Sequence, residues 1–146
     1  MPNLAENPKI NHDYDILEKI DAGIVLYGFE VKAISSGKAN IKGSYVKILN
    51  DELYLVNADI APYQPKNTPK DYDSKRTRKL LVTKKELLDI KRKTNEKSLT
   101  LAPIRIYIKG RRLKLEFAIA RGKKKYDKRE KIKEETTRRE MRNLAR

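Results

Sequence analysis

Apolar and polar positions alternate along several short stretches of the chain, with the period of half-buried β-strands. Residues 13–27 predict one long or bent strand with a kink near Gly23, where the missing Cβ permits unusual dihedral angles. Residues 44–63 predict a hairpin that turns at Asn50 and Asp51.

A second and longer hairpin is predicted near the end of the alternating region. Residues 99–120 alternate over two strands, and Gly110 with its basic neighbours supplies the turn. Residues 1–11 are polar and contain two prolines, so they predict a loose N-terminal arm.

Two stretches change to a helical period. Residues 28–39 share an apolar face and predict a helix that Gly37 ends. Residues 83–96 predict the clearest helix, because Thr83 and Glu86 have the spacing of a capping box. The core-facing side of this helix is predicted to carry Leu87, Leu88, Ile90 and Lys91.

These elements predict a mainly β fold, in which about five strands form an OB-fold-like closed β-barrel with flanking helices. An open α+β sheet remains an alternative, because periodicity does not distinguish the two. Residues 1–120 would form this body. Residues 121–146 would form a basic C-terminal tail, disordered in the free protein.

Charge points to the class of partner. The 146 residues include 35 Lys and Arg against 20 Asp and Glu, a formal net charge of +15. The last 26 residues hold 12 basic and 5 acidic residues, so the tail is much denser in positive charge. A polyanion is therefore expected as partner, and nucleic acid is favoured over a membrane surface, because there is no long apolar run, leader or lipidation signal.

The residue types present limit the chemistry. The absence of cysteine excludes a disulfide scaffold, a Cys-ligated zinc site and a thiol nucleophile. His12 is the single histidine and could stack on a base or donate to phosphate. Asp13, Asp15 and Asp21 leave a metal-dependent nuclease open as an alternative.

Two basic clusters fit phosphate recognition. The first, "SKRTRKLL", follows a long loop and includes Arg76, Arg78 and Lys79. The second, "KGRRLK", lies at the tip of the second predicted hairpin. In the tail, "GKKKYDKR" brings five cations and one tyrosine into eight residues, a composition that suits an RNA backbone with a stacked base.

Three motifs, in this order, resemble the SmpB family, the SsrA-binding small proteins of bacterial trans-translation. They are "YGFEVKAISSGKANIKGSYV" at 27–46, "RTRKLLVTKKEL" at 76–87 and "ARGKKKYDKREKIKE" at 120–134. The resemblance implies an OB-type barrel that binds the tRNA-like domain of transfer-messenger RNA (tmRNA). It also implies delivery of that RNA to stalled 70S ribosomes in the cytoplasm, with no enzymatic activity, cofactor or metal.

The resemblance also implies which residues act. The RNA-facing surface would contain Asn7, His12, Asp21, Lys32, Arg76, Arg78, Lys79, Leu81 and Lys114. The tail would lie against small-subunit rRNA at the decoding centre and in the empty mRNA channel, becoming helical only there. Its residues in that role would be Gly122, Lys123, Lys124, Tyr126, Asp127, Lys128, Arg129, Ile132, Lys133 and Glu134.

Asp21 and Ser35 are among the positions that depart from the family pattern. Asp21 stands where a longer Glu is usual, and Ser35 stands where an Arg is usual. A monomer is expected. A structural ribosomal protein remains a third reading, distinguished from an adaptor by stoichiometric co-purification with ribosomes.

Overall fold

Strands dominate the computed structural model, which describes residues 3–95 and 99–123. The strands are β1 Asn3–Glu6, β2 Tyr14–Ile24, β3 Ala39–Asn40, β4 Tyr45–Leu49, β5 Glu52–Val56, β6 Asp59–Ile60, β7 Arg78–Leu81, β8 Leu99–Lys109 and β9 Arg112–Gly122. The helices are α1 Ile10–Asp13, α2 Gly28–Ser35 and α3 Lys84–Asn95, with one 3₁₀ turn at Pro65–Asn67.

The main sheet is antiparallel and returns on itself. Its strands run in the order β1-β8-β4-β5-β7-β2-β9, and β9 also pairs with β8. Six strands therefore form a ring, and β1 adds to the free part of β8. The mainly β character expected from the alternation is confirmed.

Both predicted hairpins are present, and their turns follow from local chemistry. Asn50 and Asp51 have φ of 49° and 61°, as a two-residue type I′ turn requires, and these residue types tolerate that region. Gly110 has φ of 64° at the first position of the two-residue loop between Lys109 and Arg112. A glycine at this position is typical of a type II′ turn.

Strand β2 differs in detail from the prediction. Its register irregularity lies between Ile16 and Glu18 rather than near Gly23. Gly23 pairs with Lys114 of β9 on one side and with Leu81 of β7 on the other. A Cβ at Gly23 would lie 3.3 Å from the Leu81 Cβ, so glycine suits the point where β2 passes from one neighbour to the next.

The N-terminal prediction was wrong for residues 3–6, which form a strand instead of a loose arm. Asn3 to Glu6 pair with β8, and Ala5 and Ile10 are buried. Long-range pairing with β8 supplies the hydrogen bonds that the local sequence does not predict.

The helices cover the ring with small apolar faces. Ala33 and Ile34 of α2 have no exposed area, and the helix ends at Gly37 with a φ of 80°. The Gly37 N–H donates to the Ile34 carbonyl and the Lys38 N–H to the Ala33 carbonyl, which is a Schellman ending. Both predictions for this helix are confirmed.

The predicted capping box of α3 is also confirmed. The Glu86 N–H donates to Thr83 Oγ1, and the Thr83 N–H donates to Glu86 Oε1, each at 3.1 Å. Ile90 is buried, but Leu88 is 64% exposed, so the predicted core-facing side was wrong at Leu88. No helix of the described residues has the length and apolar character needed to cross a bilayer.

Candidate RNA-binding cleft

The Gly23 pairing creates an open cleft of about 390 Å³ where β2, β7, α2 and the β8–β9 hairpin tip meet. We name it the leucine cleft. Its apolar lining is Ile24, Leu26, Val31, Leu81 and Leu113, and its cations are Arg111, Arg112 and Lys114. Leu81 is 52% exposed although it is a large apolar residue. An exposed apolar floor beside clustered cations is a candidate binding surface.

Three of the residues expected to contact RNA lie together here. Leu81 and Lys114 both line the leucine cleft, on either side of Gly23. Asp21 lies two residues before Gly23 on β2 and pairs with Glu116, two residues after Lys114. Because alternate residues share a face of a sheet, Asp21 and Lys114 project from the same face.

A buried tyrosine contacts the acid of this group. Tyr107 pairs with Lys114 across the hairpin, and its phenol is near enough to Asp21 for the carboxylate to affect it. Burial raises the pKa of Tyr107 to about 12, and the Asp21 carboxylate adds to the increase. The phenol therefore stays neutral near physiological pH and keeps an O–H that can donate to the Asp21 carboxylate.

Sequence reasoning missed Arg105 and Tyr107, which lie beneath and beside this surface. The Arg105 guanidinium lies 4.2 Å from the centroid of the Tyr107 ring, and its Nε is 3.3 Å from Glu116 Oε1. Both residues sit at alternate positions of one strand, opposite Glu116 and Lys114. The available signal was the strict alternation of residues 104–108, which places Arg105 and Tyr107 on a common face.

Arg78 requires a correction. Its side chain is fully buried, so it has no surface to offer RNA, and the structure removes it from the direct contacts. Arg78 Nε donates to Glu30 Oε2 at 2.9 Å, and its Nη1 donates to the Ala58 carbonyl at 2.8 Å. Its guanidinium instead joins β7 to α2.

Arg76 is also held by Glu30. Its Nε donates to Glu30 Oε2 at 3.2 Å, a second contact joins Nη2 to Oε1, and 22% of its side chain is exposed. The guanidinium lies 4.1 Å from the centroid of the Tyr27 ring. Arg76 is therefore partly available at the surface, but on the Tyr27 side of α2 rather than in the leucine cleft.

Glu30 was missed by sequence reasoning, although it organises this region. Burial alone would raise its pKa, but hydrogen bonds from Arg76, the Tyr27 N–H and Arg78 outweigh burial and hold the pKa below its usual value. The available signal was a carboxylate within a predicted apolar helix. In the structure, the N–H of Tyr27, three residues earlier, donates to Glu30 Oε1 at 2.8 Å.

The remaining body residues of the prediction are spread over the surface. Lys79 is partly exposed and lies 3.0 Å from Glu52, and the hydrogen bond to that carboxylate raises the pKa of Lys79. Lys32 is exposed on α2, and His12 is exposed beside Asp13. The Asn7 side chain donates to the Pro103 carbonyl at 3.2 Å. Their RNA contacts stay predictions.

Strand β9 carries the chain into the tail. Gly122 pairs with Tyr14, the Lys123 N–H donates to the Asp13 carbonyl, and Lys123 Nζ donates to the Asn11 carbonyl, the last two at 2.9 Å. The other expected decoding-centre residues lie outside the described residues. They are Lys124, Tyr126, Asp127, Lys128, Arg129, Ile132, Lys133 and Glu134.

The carboxylates of the nuclease alternative do not converge. Asp15 and Asp21 are six positions apart on β2, a span of about 20 Å along a strand. Two metal ions that act together lie about 4 Å apart. Within residues 3–95 and 99–123, no group of three His, Asp or Glu side chains is placed to hold a metal ion.

The fold and the leucine cleft define a basic, mainly β protein whose exposed apolar and cationic surface suits a polyanionic partner. The family model described as SmpB protein matches residues 4–146, and the chain belongs to that family. The resemblance seen in the three motifs is thereby confirmed.

Curated relatives agree with the family match. An SsrA-binding protein of Chloroflexus aggregans is 48% identical over 129 residues, covering 88% of this chain and 82% of the relative. One from Carboxydothermus hydrogenoformans is 46% identical and covers 98% and 95%. A chain from the solved structure "tmRNA-SmpB: a journey to the center of the bacterial ribosome" has a TM-score of 0.66 and 45% identity, covering 82% and 84%.

Proposed function

We propose that the chain is an RNA-binding adaptor of trans-translation that binds the tRNA-like domain of tmRNA. The observation that carries the proposal is an exposed cleft lined by Leu81 and Lys114, with Asp21 on the same sheet face two residues before Gly23, in a member of the SmpB family. Relatives named as SsrA-binding and a similar chain in a tmRNA–SmpB structure support RNA as the partner.

The leucine cleft has the chemistry to hold a structured RNA surface. Arg111, Arg112 and Lys114 supply cations for phosphate oxygens, while Leu81 supplies apolar area for an unstacked base or ribose. Asp21 accepts hydrogen bonds, so it would select base amino groups or a 2′-hydroxyl over phosphate. Shape and backbone contacts of this kind suit a folded RNA loop.

We also propose that the ring of six strands is an OB-type barrel. Supporting this are the antiparallel order of the strands, the return of β9 to β8, and the helix α3 inserted before the last hairpin. Faces of such barrels commonly bind oligonucleotides. The proposal assigns no catalytic step to the chain.

A second role is proposed for residues 121–146. Their 12 cations against 5 acids favour a path walled by phosphates, and we assign them to the decoding centre and vacant mRNA channel of a stalled 70S ribosome. The body would deliver tmRNA in the cytoplasm, and the tail would report whether messenger RNA already fills the path.

An RNA-binding assay tests the proposal. The chain is titrated with a tRNA-like-domain transcript and, as competitor, an RNA duplex of equal length. Leu81→Ala should weaken binding to the transcript by about fivefold or more, while Leu88→Ala, a leucine 64% exposed on α3, should leave it unchanged. Equal affinity for transcript and duplex, or equal effects of the two variants, would contradict it.

A further inference from the structure

A second cleft, of about 460 Å³, lies between the first turn of α2 and the loop that precedes β7. We name it the aromatic cleft and define it by Tyr27, Phe29, Asp71, Tyr72, Asp73 and Arg76. It does not belong to the leucine cleft. Val31 lines the leucine cleft and Phe29 the aromatic cleft, and residues two apart on a helix point in nearly opposite directions.

Flat π surfaces form its wall. The Tyr27 and Phe29 ring centroids are 5.5 Å apart with planes inclined by 31°, and Phe29 meets Tyr72 edge-on at 4.8 Å. Tyr27 is 53% exposed even though the Arg76 guanidinium lies over its ring. Aromatic rings and guanidinium planes are the groups on which unstacked bases lie in single-stranded RNA recognition.

The wall is fixed before any ligand arrives. Glu30 holds Arg76, and it also accepts a hydrogen bond from the Tyr72 hydroxyl at 3.0 Å. The same hydroxyl lies 2.8 Å from the Ile60 carbonyl oxygen. A preorganised wall lowers the entropy cost of binding.

Charges around the cleft select among ligands. Asp71 and Asp73 are exposed carboxylates, and Asp73 Oδ1 accepts a hydrogen bond from the Lys75 N–H at 2.9 Å. Lys70, next to Asp71, and Lys75, two residues after Asp73, are also exposed. The carboxylates would repel a phosphate group on its own, and the lysines would repel a cationic peptide. A nucleotide fits both, because its base donates to a carboxylate and its phosphate binds a lysine.

We propose that the aromatic cleft binds one unpaired nucleotide of an RNA partner, with its base against Tyr27 and Phe29 and its amino group hydrogen-bonded to Asp71 or Asp73. Guanine fits best, because its ring N–H and amino group can donate side by side to one carboxylate. The inference rests on the proposed function only in taking RNA as the partner.

Amide chemical shifts of the full-length chain test this directly. GMP should perturb Phe29, Tyr72 and Asp73 saturably, UMP should do so more weakly, and ribose 5-phosphate should not. Tyr27→Ala should weaken GMP binding by about fivefold or more. The matched control is Tyr45→Ala, a tyrosine 45% exposed on β4, which should bind GMP as the unmodified chain does.

The source of the nucleotide is identified with the same variants. Tyr27→Ala should weaken binding either to the tRNA-like-domain transcript or to isolated small ribosomal subunits, whereas loss in neither would overturn the inference. Equal perturbation by ribose 5-phosphate and GMP would overturn it too. Perturbation of these amides by N-acetylargininamide, but not by nucleotides, would also overturn the inference, because it would indicate a protein partner.

These results separate the inference from the proposed function. Leu81→Ala should leave the GMP perturbations unchanged, because Leu81 does not line the aromatic cleft. If Leu81→Ala also left transcript affinity unchanged, the proposed function would fail while the aromatic cleft stood. If GMP failed to bind while Leu81→Ala weakened the transcript, the inference alone would fail.

Discussion

Arg78 Nη2 lies 2.6 Å from Glu30 Oε2, and neither side chain exposes any area to solvent. The pair joins β7 to α2, the helix that separates the leucine cleft from the aromatic cleft. Every buried side-chain nitrogen and oxygen among the described residues has a hydrogen-bond partner. A buried ion pair is tolerated under this condition, because hydrogen bonds offset the cost of removing charges from water.

Replacing Glu30 with Gln should strongly destabilise the fold. Arg78 would keep its charge in a buried site without the Glu30 counter-ion, which typically costs about 3–5 kcal/mol. Urea unfolding of the two proteins measures the change in free energy of unfolding. Glu52→Gln, which breaks the partly exposed pair with Lys79, is the control and should cost much less, because solvent screens that pair. Similar losses for both variants would contradict a special role for the buried pair.

The free energy of unfolding at acid pH should depend on the Glu30 carboxylate. The folded-state pKa of Glu30 is below its ordinary value of 4.5, so its contribution is full above that value and is lost as the pH falls through the folded-state pKa. The gap in free energy of unfolding between the unmodified chain and Glu30→Gln should therefore stay constant above pH 4.5 and narrow as the pH falls below that value. Urea titrations on both sides of that value measure it, and a constant gap would contradict the lowered pKa.

Local chemistry made some of the fold predictable. The turn residues Asn50 and Asp51, the capping box at Thr83 and the ending at Gly37 act through neighbours in sequence, so the sequence is enough to find them. The N-terminal strand Asn3–Glu6 was not predictable, because β8, about a hundred residues away, provides its partner.

Dependence on distant partners also explains why residues of the basic cluster at 74–81 differ in exposure. Charge and spacing could not show that Arg78 is buried, because its partner Glu30 lies 48 residues earlier. Leu81, three positions on, is exposed in the leucine cleft. Tertiary structure alone decided which residues of one short motif reach the surface.

Replacing Tyr107 with Phe should change stability at high pH. The pKa of Tyr107 is raised to about 12, so its contribution is full below its ordinary value of 10.0 and is lost as the pH rises between the two. Near neutral pH the variant should lose about 1.5 kcal/mol or more with the hydrogen bond to Asp21. The difference in free energy of unfolding between the unmodified chain and Tyr107→Phe should close as the pH approaches 12. Urea unfolding at each pH measures it.

A parallel variant tests the assignment of that hydrogen bond. Asp21→Asn and Tyr107→Phe should be non-additive, because both remove the same contact. Additive losses would indicate that the two side chains act independently.

Deleting residues 127–146 should separate the two proposed roles. Affinity for the tRNA-like-domain transcript should stay within about twofold, because the leucine cleft is intact, while tagging of nascent chains on a message without a stop codon should be abolished. Filter binding and an in vitro tagging reaction measure the two. A large loss of transcript affinity would contradict the division between body and tail.

The most direct test of the central claim is the salt dependence of transcript binding for the Leu81→Ala and Lys114→Gln variants. Lys114→Gln should weaken binding and reduce the slope of log affinity against log salt by about 1, because one phosphate contact is lost. Leu81→Ala should weaken binding with the slope unchanged, because its contribution is apolar. If neither variant weakens binding at any salt concentration, the leucine cleft is not the RNA-binding site.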